Sequence, residues 1–160
     1  MGYQIAVCGP GDCTEVEREH AYRIGQLLAE RGAVVLCGGG SGVMAAVAAG
    51  VRSQGGLVVG ICPGDSRADA SPDLSVTIMT NLGQARNAIL VYSADAVVVV
   101  GGSWGTLSEL ALAKRRGGVP VVSLGGWQIL DADGRPVPGV RTVDNPEAAS
   151  DLVFTALAGS

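Results

Sequence analysis

The most restrictive feature of this 160-residue chain is a run without polar residues, Ala96-Val-Val-Val-Val100. A strand with one wet face alternates apolar and polar residues. One without alternation is covered on both faces, as in a parallel sheet between helical layers. Similar runs recur at Tyr3–Cys8, Ala33–Cys37, Leu57–Cys62, Ser75–Met79 and Pro120–Leu124, with a weaker one at Val140–Val143. Between them the spacing predicts helices over Glu15–Arg31, Val43–Ser53, Ala85–Ser93, Leu107–Arg116 and Pro146–Leu157. Strand–helix alternation predicts an α/β fold, with a doubly wound, mostly parallel sheet of about six or seven strands and helices on both faces. The length fits one domain over residues 1–160. Ligands of such sheets sit beyond the carboxyl ends of the strands.

Composition narrows the partners. A net charge of −4 argues against nucleic acid, which selects a basic face. No apolar run approaches the roughly 20 residues of a membrane span, and the N-terminus carries neither a secretory leader nor a myristoylation pattern. Cys8, Cys13, Cys37 and Cys62 form no C-x-x-C pair, so a reduced, cytoplasmic protein is expected. Cys8, Cys37 and Cys62 end strands and read as small buried residues, with a metal or redox role as the alternative. No metal site is expected.

The chemistry lies in the glycine-rich loops. In "CGGGSGVM" (Cys37–Met44), Gly38, Gly39, Gly40 and Gly42 leave amides bare where a helix begins, an arrangement suited to phosphate. "GGSWGTLSE" follows the valine strand with the same device: Gly101, Gly102, Ser103, Trp104, Gly105 and Thr106. There Thr106-Leu-Ser-Glu109 also spells a capping box, so Glu109 is either a local helix cap or a carboxylate facing a ligand. "TNLGQARNAIL" (Thr80–Leu90) has Asn81 as an expected N-cap and puts Arg86 near the positive end of a helix. A cation is disfavoured there unless an anion joins it, which tips Glu109 towards a shared pocket with Arg86. "CGPGDCT" places Gly9 and Gly11 in the first strand-to-helix turn, but lacks the third glycine of a dinucleotide fingerprint, and no G-K-[ST] follows any strand. Thr14–Glu17 spells a second capping box. His20 falls on a stripe with Val16, Ile24 and Leu27 and reads as packing. Trp104 is a base-stacking candidate, with burial in a subunit contact as the alternative. Pro63–Leu74 reads as a cover over the site or a plain surface loop, and Asp131–Gly139 as a small hairpin.

Taken together, these segments resemble the LOG superfamily, often mislabelled lysine decarboxylase. "GGGSGVM" is similar to its G-G-G-x-x-G-L-M loop, ending on Met44, and "GGSWGTLSE" to its P-G-G-x-G-T-x-x-E motif. Arg86 matches the arginine of its M-H-x-R-K motif. The resemblance implies a Rossmann-like domain that binds a nucleotide's phosphate end. It implies hydrolysis of the N-glycosidic bond of a nucleoside 5′-monophosphate, with Arg86 and Glu109 as the catalytic pair. The motif's histidine and lysine are replaced by Gln84 and Asn87, and its proline by Gly101. The wording "ARNAILV" and "SADAVVVVGG" is closer to a short branch that includes molybdenum cofactor carrier proteins, which implies the alternative of a pterin phosphate held without chemistry. No resident cofactor is required by either reading, the ligand being an AMP-like nucleotide or a molybdopterin-type cofactor. The resemblance also implies a homodimer or tetramer. Lysine decarboxylation is discounted, because Lys114, the only lysine, lies mid-helix beside Arg115 and Arg116.

Overall fold

A computed structural model describes residues 2–160. In chain order the elements are β1 (Gln4–Cys8), α1 (Glu15–Glu30), β2 (Val34–Cys37), α2 (Val43–Ser53), β3 (Leu57–Cys62) and β4 (Val76–Met79). A single 3-10 turn (Gly83–Ala85) then leads into α3 (Arg86–Tyr92), followed by β5 (Ala96–Val100), α4 (Trp104–Arg116), β6 (Val121–Leu124), β7 (Arg141–Val143) and α5 (Pro146–Ala158). The seven strands form one sheet in the order β4-β3-β2-β1-β5-β6-β7, and every neighbouring pair is parallel. The apolar runs therefore became strands as expected, to within a residue. Tyr3 and Pro120 sit just outside, contributing only a carbonyl to Val34 and Val97 respectively.

The valine strand β5 explains the layers. All its residues are buried. Val98 and Val100 point into a core shared with α1, α2 and α5, while Val97 and Val99 face α3 and α4. Strand order reverses between β1 and β5, opening a crevice at their carboxyl ends.

Thr14 caps α1 reciprocally with Glu17, as the motif predicts. The buried face of α1 is Ala21, Ile24, Gly25 and Leu28, a stripe displaced from the one expected through Val16 and Leu27, and Val16 is 59% exposed. The shift has a steric cause. Gly25 and Gly50 let α1 and α2 cross backbone to backbone: a Cβ on Gly50 would overlap the Tyr22 carbonyl, and one on Gly25 would lie 2.5 Å from the Val47 carbonyl oxygen. Periodicity counts side chains, and this contact is made by their absence. His20 is half-buried at the margin of that face.

The Pro63–Leu74 segment is tied down rather than draped. The Ser71 N–H donates to the Gly39 carbonyl (2.9 Å), and Leu74 fills the space beside Gly60. The Asp131–Gly139 excursion is a small hairpin with an antiparallel bridge, Leu130 to Pro136. Among the described residues no helix is long and apolar enough to cross a membrane.

The helix crossing yields a test. Gly50→Ala improves helix propensity by about 1 kcal/mol, yet it forces two backbones apart, so a net destabilisation of about 2 kcal/mol is expected in urea unfolding. Gly55→Ala meets no neighbour within 4 Å and has only its left-handed backbone (φ 68°) to strain, so it should cost less. Equal losses at both positions would remove the close crossing as the cause.

Candidate functional site

The crevice between β1 and β5 holds a cleft of about 150 Å3. Its walls are Gly9, Pro10 and Gly11 after β1, Met44 on α2, Gln84, Arg86 and Asn87 around the start of α3, and Ser103, Gly105, Thr106 and Glu109 on α4. Larger hollows lie beside Gly125 and Asp144 (about 590 Å3) and beside Val119 and Leu152 (about 380 Å3), but neither is lined by a buried ionisable side chain. Chemistry, rather than volume, singles out the smaller one.

Arg86 and Glu109 are the buried charged residues here, at 7% and 6% exposure. Arg86 is the first residue of α3, and Glu109 lies in the second turn of α4. The Arg86 Nη1 to Glu109 Oε1 distance is 3.6 Å, an ion pair too long to be a hydrogen bond. Arg86 Nε is buried with no partner. A guanidinium carries five donors in a planar fork; of these only the Nε donor is closed off without a partner. The Nη groups are open, with Nη1 beside Glu109, and are the donors an anionic occupant could meet.

Glu109 is shaped by the same enclosure. Burial pushes its carboxyl up to about 7, while the Arg86 charge and the adjacent Cys8 thiol pull it back only in part. Burial, followed by the Glu109 charge, also raises the Cys8 thiol well above its usual range. Cys37 is pushed up to about 12, chiefly by burial, and burial raises Cys62 too. The strand-end cysteines are therefore neutral thiols at pH 7. No cluster of three metal-ligating side chains occurs among the described residues.

The caps differ from expectation, and the difference bears on Glu109. Ser103, not Thr106, is the N-cap of α4: its hydroxyl accepts from the Thr106 N–H at 3.2 Å, and the helix begins at Trp104. Thr106 is thereby an interior first-turn residue, its hydroxyl 2.9 Å from that of Ser103. Glu109 has no capping bond to make, so its local role falls away and its position facing Arg86 remains. The Trp104 and Gly105 N–H groups take no partner among the described residues, leaving the positive end of a 13-residue helix open beside the cleft. Asn81 does not cap α3 either. It sits at φ 51° with its N–H on the Gly64 carbonyl, and Ala85 precedes the helix without a side-chain cap. Tertiary bonding to the loop after β3 overrides the local signal.

The second glycine loop is only partly open. The Val43 N–H, first amide of α2, is committed to the Pro10 carbonyl (3.0 Å), and Ser41 Oγ donates to the Gly11 carbonyl (3.1 Å). Gly42 adopts φ 62° where a Cβ would overlap those same Pro10 and Gly11 carbonyls. The Gly40, Ser41 and Met44 N–H groups are without partners among the described residues. Gly38 lies beneath Arg86: a Cβ there would stand 2.7 Å from Nη2 and 2.6 Å from the Met44 sulfur. Gly39 packs against Cys62 and β3, Gly101 against Glu17, and Gly102 under Trp127. These three, with Gly38, Gly40, Gly42 and Trp104, stand outside the cleft lining, whereas Gly9, Gly11, Met44, Asn87, Ser103, Gly105 and Thr106 join Arg86 and Glu109 within it. Trp104 is 78% exposed and meets Trp127 edge to face at 5.0 Å. Pro10 and Gln84 complete the wall and were not anticipated. Their sequence signals, a proline between two turn glycines and a residue two steps before the start of α3, were weak.

A family model described as LDcluster4, SLOG cluster4 family, matches residues 2–150. The chain is 43% identical over 154 residues to an uncharacterized protein of Archaeoglobus fulgidus, covering 96% of this chain and 95% of that one. It is 34% identical over 121 residues to a Mycobacterium tuberculosis protein named cytokinin riboside 5′-monophosphate phosphoribohydrolase, covering 71% of this chain and only 65% of the relative. Among solved structures, the molybdenum cofactor binding protein of Rippkaea orientalis superposes with a TM-score of 0.88 at 32% identity, over 98% of each chain. The molybdenum cofactor carrier protein of Chlamydomonas reinhardtii gives 0.83 at 32% identity, over 99% of each.

The burial of Glu109 makes a signed prediction. Its folded-state carboxyl near 7 lies above the ordinary 4.5, so the folded protein holds that proton more tightly than the unfolded chain. Its contribution to stability is full below pH 4.5 and is lost as pH rises to about 7, a loss on the order of 3 kcal/mol. Glu109→Gln cannot ionise. The unfolding free energy of the parent minus that of the variant, from urea titrations, should fall by about that amount between pH 4.5 and 7.5. A flat difference would mean the carboxyl titrates normally.

Proposed function

The chain belongs to the SLOG cluster4 family, and we propose that its cleft binds a nucleoside 5′-monophosphate and hydrolyses the bond between base and ribose. The observation that carries this reading is the buried Arg86–Glu109 pair, a guanidinium without hydrogen bonds beside a carboxyl poised near neutrality. The LOG superfamily motifs that the sequence resembles have an arginine and a glutamate at the matching positions.

In this mechanism the 5′-phosphate rests against the open amides at the start of α4 and the Ser103 and Thr106 hydroxyls, where a helix N-terminus favours negative charge. Arg86 holds Glu109 in place and neutralises part of the anionic load. The C1′–N bond breaks with its electron pair leaving on the base, which takes a proton from solvent. Positive charge develops at C1′ and the ring oxygen, and the Glu109 carboxylate stabilises it. The same carboxylate accepts a proton from the water that adds to C1′. The products are the free base and ribose 5-phosphate. A carboxyl near 7 can both take up and release that proton at physiological pH.

A second reading is favoured by a different observation. The likeness to molybdenum cofactor proteins spans both chains end to end, whereas the match to the mycobacterial hydrolase covers 71% of one chain and 65% of the other. Gln84 and Asn87 also replace the histidine and lysine of the hydrolase motif. On that reading the cleft holds the phosphate end of a pterin cargo and breaks no bond. Either reading accommodates a homodimer or tetramer joined through the exposed Trp104–Trp127 patch.

Incubation with AMP separates the two. Free adenine should accumulate with the parent protein, and Glu109→Gln should slow its release by about 10²- to 10⁴-fold, with Arg86→Ala comparably impaired. The parent's kcat/KM should rise with pH up to about 7 and level off above it. AMP recovered intact after tight binding to all three proteins would replace the hydrolase with the carrier.

A further inference from the structure

The two faces of the sheet are unequally covered. On the face lined by Leu36, Ile61 and Val97, α4 packs against β5 and β6, and α3 against β3. Beyond α3 lies the edge strand β4. Val76 and Ile78 stand in register with Val59 and Ile61, so they point to this same face. Leu57, two residues before Val59, points the same way. Asn87 of α3 bonds Ser108 of α4 at 3.1 Å, and Ile89 lies about 200° further round the helix, on the flank turned away from α4. Leu82 follows in the link between β4 and α3. These five side chains are between 39% and 51% exposed, and none is charged. The backbone of β4 is open as well, since along one side of Val76–Met79 no described strand lies beside it. Sheet edges are ordinarily blunted by charge, proline or brevity. The opposite edge is blunted: β7 has three residues, begins with Arg141 and is followed by Asp144. Over Ser75–Asn81, by contrast, β4 and its flanks carry neither a charge nor a proline.

We propose that this face, formed by Leu57, Val76, Ile78, Leu82 and Ile89 with the bare side of β4, is where a second copy of the chain docks. Charge selects a copy as the occupant. A two-fold contact sets a patch against itself, so charges near the axis would meet their like. This patch has none, on a chain whose net charge of −4 opposes self-contact elsewhere. Geometry agrees: two-fold symmetry turns a second β4 antiparallel to the first, and the open peptide groups of each edge then complete the other. The area is sufficient too. A standard interface takes about 800 Å2 from each partner, somewhat over half of it apolar, and the five side chains offer on the order of 400 Å2. The surface is separate from the Trp104–Trp127 pair, whose members follow β5 and β6, and the proposal does not depend on what the cleft holds.

Sedimentation equilibrium of the intact chain tests this. The parent should show at least twice the monomer mass. Ile78→Lys and Ile78→Glu, both at an exposed position, should each weaken association by about 100-fold or more. Mixing the two variants should restore it, because the contact brings one β4 against the other, whereas a folding defect is not repaired by mixing. Hydrogen exchange on the parent needs no variant: the amides of Val76–Met79 should exchange more slowly as protein concentration rises. A parent that stays monomeric at every concentration would overturn the proposal and leave the face to a different protein. It would be overturned equally by an oligomer that Ile78→Lys leaves intact, by lysine and glutamate variants that stay apart when mixed, or by β4 amides whose exchange ignores concentration.

Discussion

The site depends on a charge that the protein buries without completing. Arg86 is almost fully enclosed, yet its only ionic partner among the described residues stands 3.6 Å away. Removing a guanidinium from water costs several kcal/mol unless its donors are met. The fold tolerates this because the enclosing walls come from rigid elements: the strand ends of β1 and β5, and the starts of α3 and α4. The same enclosure lifts the Glu109 carboxyl and keeps the Cys8 thiol neutral. One desolvated pocket thus sets the protonation of two neighbouring groups.

The topology explains why these residues meet although 23 positions separate Arg86 from Glu109 in sequence. The chain leaves one edge of the sheet at β4, crosses back through α3 and enters the centre at β5. Both helix starts are thereby delivered to the switch point, next to the turn that follows β1. Glycine serves the site mainly by close approach: Gly38 lets the guanidinium lie against the loop backbone, and Gly42 lets the first two loops lock together.

Much of this was legible from residue patterns. Unbroken apolar runs announced a sheet covered on both faces, and the strand ends agreed to within a residue. The glycine clusters pointed to the sheet edge where the cleft lined by Arg86 and Glu109 lies. Arg86 and Glu109 could be paired because each followed a strand at the start of a helix. Local signals failed where distant backbone intervened. Thr106 was expected to cap α4, but Ser103, three residues earlier and in extended conformation, takes that place by accepting from the Thr106 N–H. Asn81 was drawn away by the carbonyl of Gly64, and the buried face of α1 shifted because Gly25 contributes to packing without a side chain.

The two tryptophans of this chain stand in contact, one of them on the first residue of α4. The intrinsic ultraviolet emission of the protein therefore originates almost entirely from one spot at the rim of the cleft. Events at the far end of the sheet are silent to it, whereas rearrangement around the α4 start, or docking of another surface there, changes the environment of both indoles together.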